Sequence, residues 1–379
     1  MTMIDRCEVV VLGGGPAGCA CALALARLGV ADTWVIEAGR YRNLRIGECV
    51  PAETRHLLHR LGLMASFAAE GHARSVGGCA LWGGPRPGFN DALFNPHGQG
   101  FHLDRRRFDA WLAAHVAKGP GRLRLGARFR QAERRGGRWL VTMDDGAKLE
   151  ASFVVDATGS KAVFARQVGA RRIVHDRLIC LTGFFAGIEG DEVPTQTFLE
   201  AVEDGWWYGA RLPNGIMTCA FACDPDTVRR GALGDHRQWL MKLLTTRLLP
   251  PHIMGRPLVE GSPFIKAAPS FILDRIAGDG YVAVGDAACA FDPISSRGIH
   301  KALSDGIDAA EAVAATRQGE RDALARYAEG VVARYETYLK TRTSLYRGEA
   351  DRRQSSFWHN RLKDAPGSTT NGGGGLYGS

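Results

Sequence analysis

Gly13, Gly15 and Gly18 fit the pattern G-x-G-x-x-G, directly after the apolar run Cys7-Glu8-Val9-Val10-Val11-Leu12 and at the head of a small-residue segment that opens with Pro16 and Ala17. That spacing suits a pyrophosphate. The first glycine permits the turn, the second lets the backbone approach the phosphates, and the third lets helix and strand pack closely. A helix starting there aims its N-terminal N–H groups and positive dipole end at the anion. Glu37 closes the next apolar run, Thr33-Trp34-Val35-Ile36, with Ala38 behind it, the place of a carboxylate that accepts from ribose hydroxyls. Far along the chain a second glycine turn, Gly285-Asp286, ends the run Tyr281-Val282-Ala283-Val284. There Asp286 can accept from ribityl hydroxyls. The Asp292-Pro293 turn and the helix start at Gly298-Ile299 can aim backbone N–H groups at the negative charge a flavin gathers on reduction. Two such turns point to one long phosphate-bearing ligand held at both ends, expected to be FAD. Only one G-x-G-x-x-G stands between a strand-like run and a helix head, so a separate nicotinamide site is not expected.

The elements that must position these turns read as α/β. The first unit is a βαβ with right-handed crossover: strand 7–12, helix 17–28, strand 33–36. Helices are predicted over 52–61 and 107–116. Strands are predicted around 123–129, 139–142 and 147–149, with Asp144-Asp145-Gly146 as the hairpin turn between the last two. The run Phe153-Val154-Val155-Asp156 reads as a further buried strand ending at Gly159. From 172 to 223 the pattern is strand-rich, and helices follow over 237–248, 298–313 and 321–342. The dinucleotide-binding pieces are therefore interleaved: 1–75, 100–170 and 270–320 form a discontinuous FAD-binding domain. Residues 76–99 and 171–269 form an inserted β-sheet substrate domain, 321–365 a C-terminal helical segment, and 366–379 a Gly/Ser/Thr-rich disordered tail.

Composition bounds the alternatives. A chain of 379 residues, 45% hydrophobic, can bury a core for two lobes. Mean hydropathy is slightly negative, no apolar run has the length to span a bilayer, and the N-terminus enters a strand rather than a secretory h-region. Nine scattered cysteines include no C-x-x-C pair, so reduced, packed thiols, a cytoplasmic location and no metal centre are expected. The net charge of +8 is mostly arginine. No basic run interleaved with aromatics accompanies it, so nucleic acid is not an expected partner. A field that draws an anionic cofactor or an acidic partner is.

The pieces Gly13-Gly14-Gly15-Pro16-Ala17-Gly18, Arg45-Ile46-Gly47-Glu48, Leu103-Asp104-Arg105-Arg106-Arg107-Phe108-Asp109, Asp156-Ala157-Thr158-Gly159 and the stretch from Gly285 to Leu303 resemble the p-hydroxybenzoate hydroxylase-like flavoproteins. Within that group the chain looks most like the branch of flavin-dependent tryptophan halogenases and tryptophan-modifying monooxygenases. The segments around Phe94–Asp109 and Asp292–Leu303 look closest to flavoproteins that mature quinone cofactors. The match covers roughly 8–303. The resemblance implies a Rossmann-like FAD-binding domain of the glutathione-reductase type. It carries over Gly13, Gly15, Gly18, Glu37, Arg45, Arg105 and Asp286 as FAD contacts, and it implies molecular oxygen with NAD(P)H used directly or through a separate flavin reductase.

The resemblance also sets hydroxylation against halogenation. Halogenases of this type use a lysine shortly after the Gly-Glu motif, and this chain has no lysine before Lys118. Their G-W-x-W-x-I-P segment is matched only partly by Gly205-Trp206-Trp207-Tyr208-Gly209-Ala210-Arg211-Leu212-Pro213, with Tyr208 at the second tryptophan position. Both departures favour a monooxygenase that hydroxylates an aromatic ring through a flavin C4a-hydroperoxide, the ring being indole- or tryptophan-like, small or carried in a peptide or protein. Glu48 and His300 are the candidate acid/base residues, with His97 and His102 behind them. Trp82, Trp206, Trp207 and Phe291 are the candidate pocket aromatics. A halogenase, a geranylgeranyl-reductase-type flavin reductase and a non-catalytic flavoprotein that docks on a partner enzyme are the alternatives.

Overall fold

Apolar runs that lack alternation make strands buried on both faces, and they build the centre of this protein. The computed structural model describes residues 4–190, 192–349 and 355–363; the expected tail at 366–379 lies outside them. The chain opens with β1 (Asp5–Leu12), α1 (Pro16–Arg27) and β2 (Thr33–Glu37). It continues through β3 (Cys49–Val50), α2 (Thr54–Arg60), β4 (Gly77–Leu81), β5 (Gly88–Asp91) and α3 (Arg105–Lys118). Four strands follow: β6 (Arg122–Leu125), β7 (Phe129–Arg135), β8 (Arg138–Met143) and β9 (Lys148–Asp156). After them come β10 (Ile179–Phe185), β11 (Gln196–Val202), β12 (Gly205–Arg211), β13 (Met217–Cys223) and α4 (His236–Leu244). The last elements are β14 (Phe264–Ala267), β15 (Tyr281–Ala283), α5 (Gly298–Arg317), α6 (Ala323–Arg347) and α7 (Ser356–Lys363).

One sheet carries the dinucleotide-type core. Strands β15, β9, β1, β2 and β6 lie side by side in that order and run parallel, and the β7–β8 hairpin is added to β9. Its register puts Leu12 beside both Ile36 and Asp156, so the ends of three strands open at one rim. Crevices outside the carboxyl ends of parallel strands are where such sheets bind ligands. Two expectations need correction here. The run at 123–129 is two strands, β6 and β7, because Gly126 in the left-handed region (φ +75°) breaks it. The runs at 147–149 and 153–156 are one strand, β9.

Helix α1 lies against α5 across small residues. A Cβ on Gly306 would meet the Ala17 carbonyl oxygen at 2.3 Å, and one on Gly18 would meet the Gly13 oxygen at 1.9 Å. The close approach is thus written into residue size.

The second sheet has the order β14-β10-β13-β12-β11-β4-β5 and is antiparallel except where β11 meets β4. Its strands alternate between two unlike faces. Leu181, Trp207, Cys219 and Phe221 pack in one cluster with Trp239 and Leu243 of α4. The other face is paved by Cys180, Thr218, Ala220 and Ala222, with Trp206 and Tyr208 standing among them. Among the described residues no helix is long and apolar enough to cross a membrane.

Candidate active site

The small-residue face of the second sheet and the strand ends of the first enclose a cavity of about 560 Å3, within the usual range for small-molecule sites. The glycine turn forms one end. Gly13 holds φ +113°, a conformation that favours glycine. Gly15, Pro16 and Ala17 face the cavity, and nothing lies within 4 Å of where a Gly15 Cβ would project. Gly18 faces the strand instead, as a packing residue. Glu37 and Ala38 also border the cavity. The Glu37 carboxylate already accepts from Gly14 N (2.7 Å) and Gly39 N (2.6 Å), and its remaining lone pairs are available to a ligand.

Arg45 and Arg105 reach the same cavity, anchored by a residue the sequence did not single out. Asp109, one helical turn beyond Arg105, has no exposed surface. It accepts a bidentate pair from Arg105 (3.0 Å each) and a third bond from Arg45 (3.0 Å). Arg105 also donates from Nη1 to the carbonyls of Ile46 and Gly47 (2.9 and 3.1 Å), so it braces the segment that presents Glu48. Asp109 belongs to the motif Arg-x-x-Phe-Asp, and its i,i+4 spacing from Arg105 was the available signal.

At the second glycine turn Asp286 borders the cavity. Gly285 sits behind it, where a Cβ would lie 2.7 Å from that of Ala17. Asp286 is paired with the buried Lys301 (3.3 Å), whose ammonium also donates to the Cys289 carbonyl (2.6 Å). Pro293, Gly298 and Ile299 line the wall beyond.

Asp292 fixes that wall. It has no exposed surface. Its carboxylate accepts from Ile294 N (3.0 Å), Tyr346 Oη (2.7 Å) and Arg342 Nε (3.5 Å), while its own N–H donates to Tyr338 Oη (2.7 Å). Burial pushes the Asp292 carboxyl up, against the pull of Arg342. Tyr346 Oη in turn accepts from Trp206 Nε1 (3.0 Å), and Tyr338 stacks on Phe291 at 4.0 Å and 2°. The C-terminal helices, without a recognised motif, therefore hold the cavity wall. Their signal was the 3-4-4 spacing of Tyr335, Tyr338, Arg342 and Tyr346, one face of a helix.

Of the expected pocket aromatics, Trp206 and Phe291 border the cavity. Trp207 does not, because consecutive strand residues face opposite sides; it stacks on Phe221 under α4. Trp82 packs on Trp358 and donates to the Leu345 carbonyl, away from the cavity. His300 also stays outside the lining, with Nδ1 3.2 Å from Thr54 Oγ1 and its pKa lowered by burial and then by Arg297. His102 is bonded to the Arg211 carbonyl and buried, with a pKa lowered to about 4; His97 is exposed.

Glu48 borders the cavity with only 1% of its surface exposed, and neither carboxylate oxygen has a hydrogen-bond partner. Burial raises its pKa above 4.5, opposed mainly by local backbone amides and Tyr208. The Tyr208 hydroxyl is close enough to couple with the carboxylate, yet it completes no hydrogen bond of ordinary geometry.

Lys266, on β14, also lines the cavity and was not foreseen. It forms no ion pair or hydrogen bond among the described residues. Desolvation lowers its pKa from 10.5, helped by Arg105 and Arg45. The chain lacks a lysine near the Gly-Glu motif, but the cavity does not lack an amine.

Comparison with known proteins gives the family. A family model described as FAD binding domain matches residues 6–339. The putative FAD-dependent oxidoreductase LodB of Marinomonas mediterranea is 27% identical over 363 residues, covering 94% of this chain and 97% of LodB. The sulochrin halogenase gedL of Aspergillus terreus is 27% identical over 365 residues, covering 84% of this chain; the chain spans 65% of that halogenase's own length. Among solved structures, the peptidyl tryptophan dihydroxylase QhpG, described as essential for tryptophylquinone cofactor biogenesis, superposes with a TM-score of 0.74 at 24% identity, covering 94% of this chain and 79% of QhpG.

Proposed function

This chain belongs to the FAD binding domain family and is an FAD-dependent oxidoreductase, and on that premise we propose that it is a monooxygenase acting on an electron-rich aromatic ring. The ring is indole- or tryptophan-like, in a small molecule or in a peptide or protein. The observation that carries the reading is one continuous cavity with two unlike ends. At one end is the glycine turn with Glu37. At the other are Trp206, Phe291 and the bare floor of Ala220, into which an unpartnered carboxylate looks.

The residues present fit FAD. Gly15 leaves open space where a phosphate would come closest, Arg45, Arg105 and Lys266 supply positive charge, and Asp286 presents a carboxylate at the second turn. When bound, FAD supplies the reductive activation of molecular oxygen, with electrons from NAD(P)H directly or by way of a separate flavin reductase. The protein's share is to hold the ring against Trp206, to keep water away behind Phe291 and Asp292, and to take a proton from the ring at Glu48. Residues 76–99 and 171–269 form the substrate-facing lobe in this reading. The likeness in fold to the tryptophan dihydroxylase QhpG supports the reading, and the likeness in sequence to LodB supports its premise of an FAD-dependent oxidoreductase. Nine unpaired cysteines support a cytoplasmic site of action.

Halogenation is the second reading, favoured by Lys266 and by relatives such as gedL. An amine in the cavity can hold an electrophilic halogen where no upstream lysine does. Product mass after incubation with FAD, a reductant, oxygen, aromatic candidates and excess bromide separates the two. A gain of one or two oxygens supports the first reading, and a brominated product overturns it.

A further inference from the structure

Glu48 and Tyr208 come from different lobes and meet at the cavity. Glu48 follows Gly47, in the segment braced by Arg105, and its own carbonyl accepts from Leu103 N (2.9 Å). Tyr208 stands on β12 with Ala220 directly opposite on β13, so a small methyl leaves room beside its ring. Both Glu48 oxygens and the Tyr208 hydroxyl are shut off from water without a hydrogen-bond partner. Leaving such groups unpartnered is costly, most of all for a charged one. Where such groups border a cavity, as these do, a bound ligand is one partner that completes them.

The donor count then defines the ligand. A carboxylate only accepts, and a tyrosine has one O–H to give. The pair is short of donors, and a ligand that satisfies it must bring one. We propose that Glu48 and Tyr208 form the subsite that receives the ring N–H or O–H of an aromatic substrate, Glu48 accepting it and Tyr208 positioning the carboxylate. The substrates are therefore indoles, phenols or anilines with that donor free. The proposal rests on the aromatic-substrate reading above and holds for oxygenation and halogenation alike. A site built around a substrate donor rejects the isostere that lacks it by on the order of 10⁴ in kcat/KM, because its buried groups are then left unpaired.

The experiment is an equilibrium titration of the FAD-loaded protein, read by the change in flavin absorbance, so it needs no turnover. Indole is compared with benzothiophene, the ring of similar shape without the N–H. Indole is expected to bind at least tenfold more tightly, and its affinity to rise with pH as Glu48 loses its proton. Glu48→Gln, whose amide oxygen can still accept but is uncharged and does not titrate, is expected to bind FAD as before, to weaken the preference and to lose the pH dependence. Tyr208→Phe is expected to keep the preference but shift the pH at which indole affinity rises. Equal affinity for the two rings, no spectral response to either, or an unaltered pH dependence in Glu48→Gln overturns the proposal. A donor preference without any oxygenated or halogenated product would instead overturn the functional reading and leave this subsite standing.

Discussion

Glu48 shows how far single residues could be read. Its place after a glycine marked it as an acid/base candidate, but only the fold shows it buried and unpartnered at the cavity. Glu48→Gln should lower product formation by about 10²–10⁴, the usual contribution of a positioned acid or base. Flavin content, read by absorbance, should not change. Stability should respond too. Burial raises the folded pKa above 4.5, so the folded state binds more protons than the unfolded state between the two values, and stability falls as pH rises through that interval. Wild type should therefore lose melting temperature relative to Glu48→Gln on going from acid to neutral pH. Lys266 was illegible for the opposite reason: its neighbours Arg45, Arg105 and Cys180 are all distant in sequence. Trp206 and Trp207 were equal candidates until strand parity separated them.

At the level of elements, the glycine turns were legible because their constraints are local. A turn, a short run and a helix head occupy consecutive residues, and the first βαβ unit needed no distant partner. Helix α6 had no such signature, yet it carries the buried Arg342 between Asp176 (2.9 Å) and Asp292 (3.5 Å). Replacing Arg342 with methionine would leave two buried carboxylates without their cation. We expect a loss of about 3–5 kcal/mol, seen as a lower urea midpoint with unchanged m-value. The α1–α5 contact gives a contrasting case. Gly306→Ala would drive a methyl toward the Ala17 carbonyl, an overpacking worth about 1–3 kcal/mol. Because Ala17 borders the cavity, FAD affinity should fall along with stability, which equilibrium dialysis of the variant checks.

At the scale of the whole molecule the two large sheets share one cavity, and that joint is what the interleaved sequence segments could suggest but not locate. The floor comes from Cys180, Trp206, Tyr208 and Ala220 of the second sheet, the rim from Leu12, Glu37 and the glycine turn of the first, and α6 ties the wall together through Asp292. A ligand spanning the cavity touches both lobes in the native state only, so its binding free energy adds to the stability of the pair. At a free concentration a hundred times Kd that gain is about 2.7 kcal/mol. FAD should therefore raise the melting temperature of the second lobe as well as that of the first. Differential scanning calorimetry with and without FAD tests this, alongside amide exchange in β12 and β13. Protection rising in those strands would mean the cofactor clamps both lobes. Protection confined to β1, β2 and β9 would mean that the second sheet opens independently, and that the substrate pocket forms without the flavin's help.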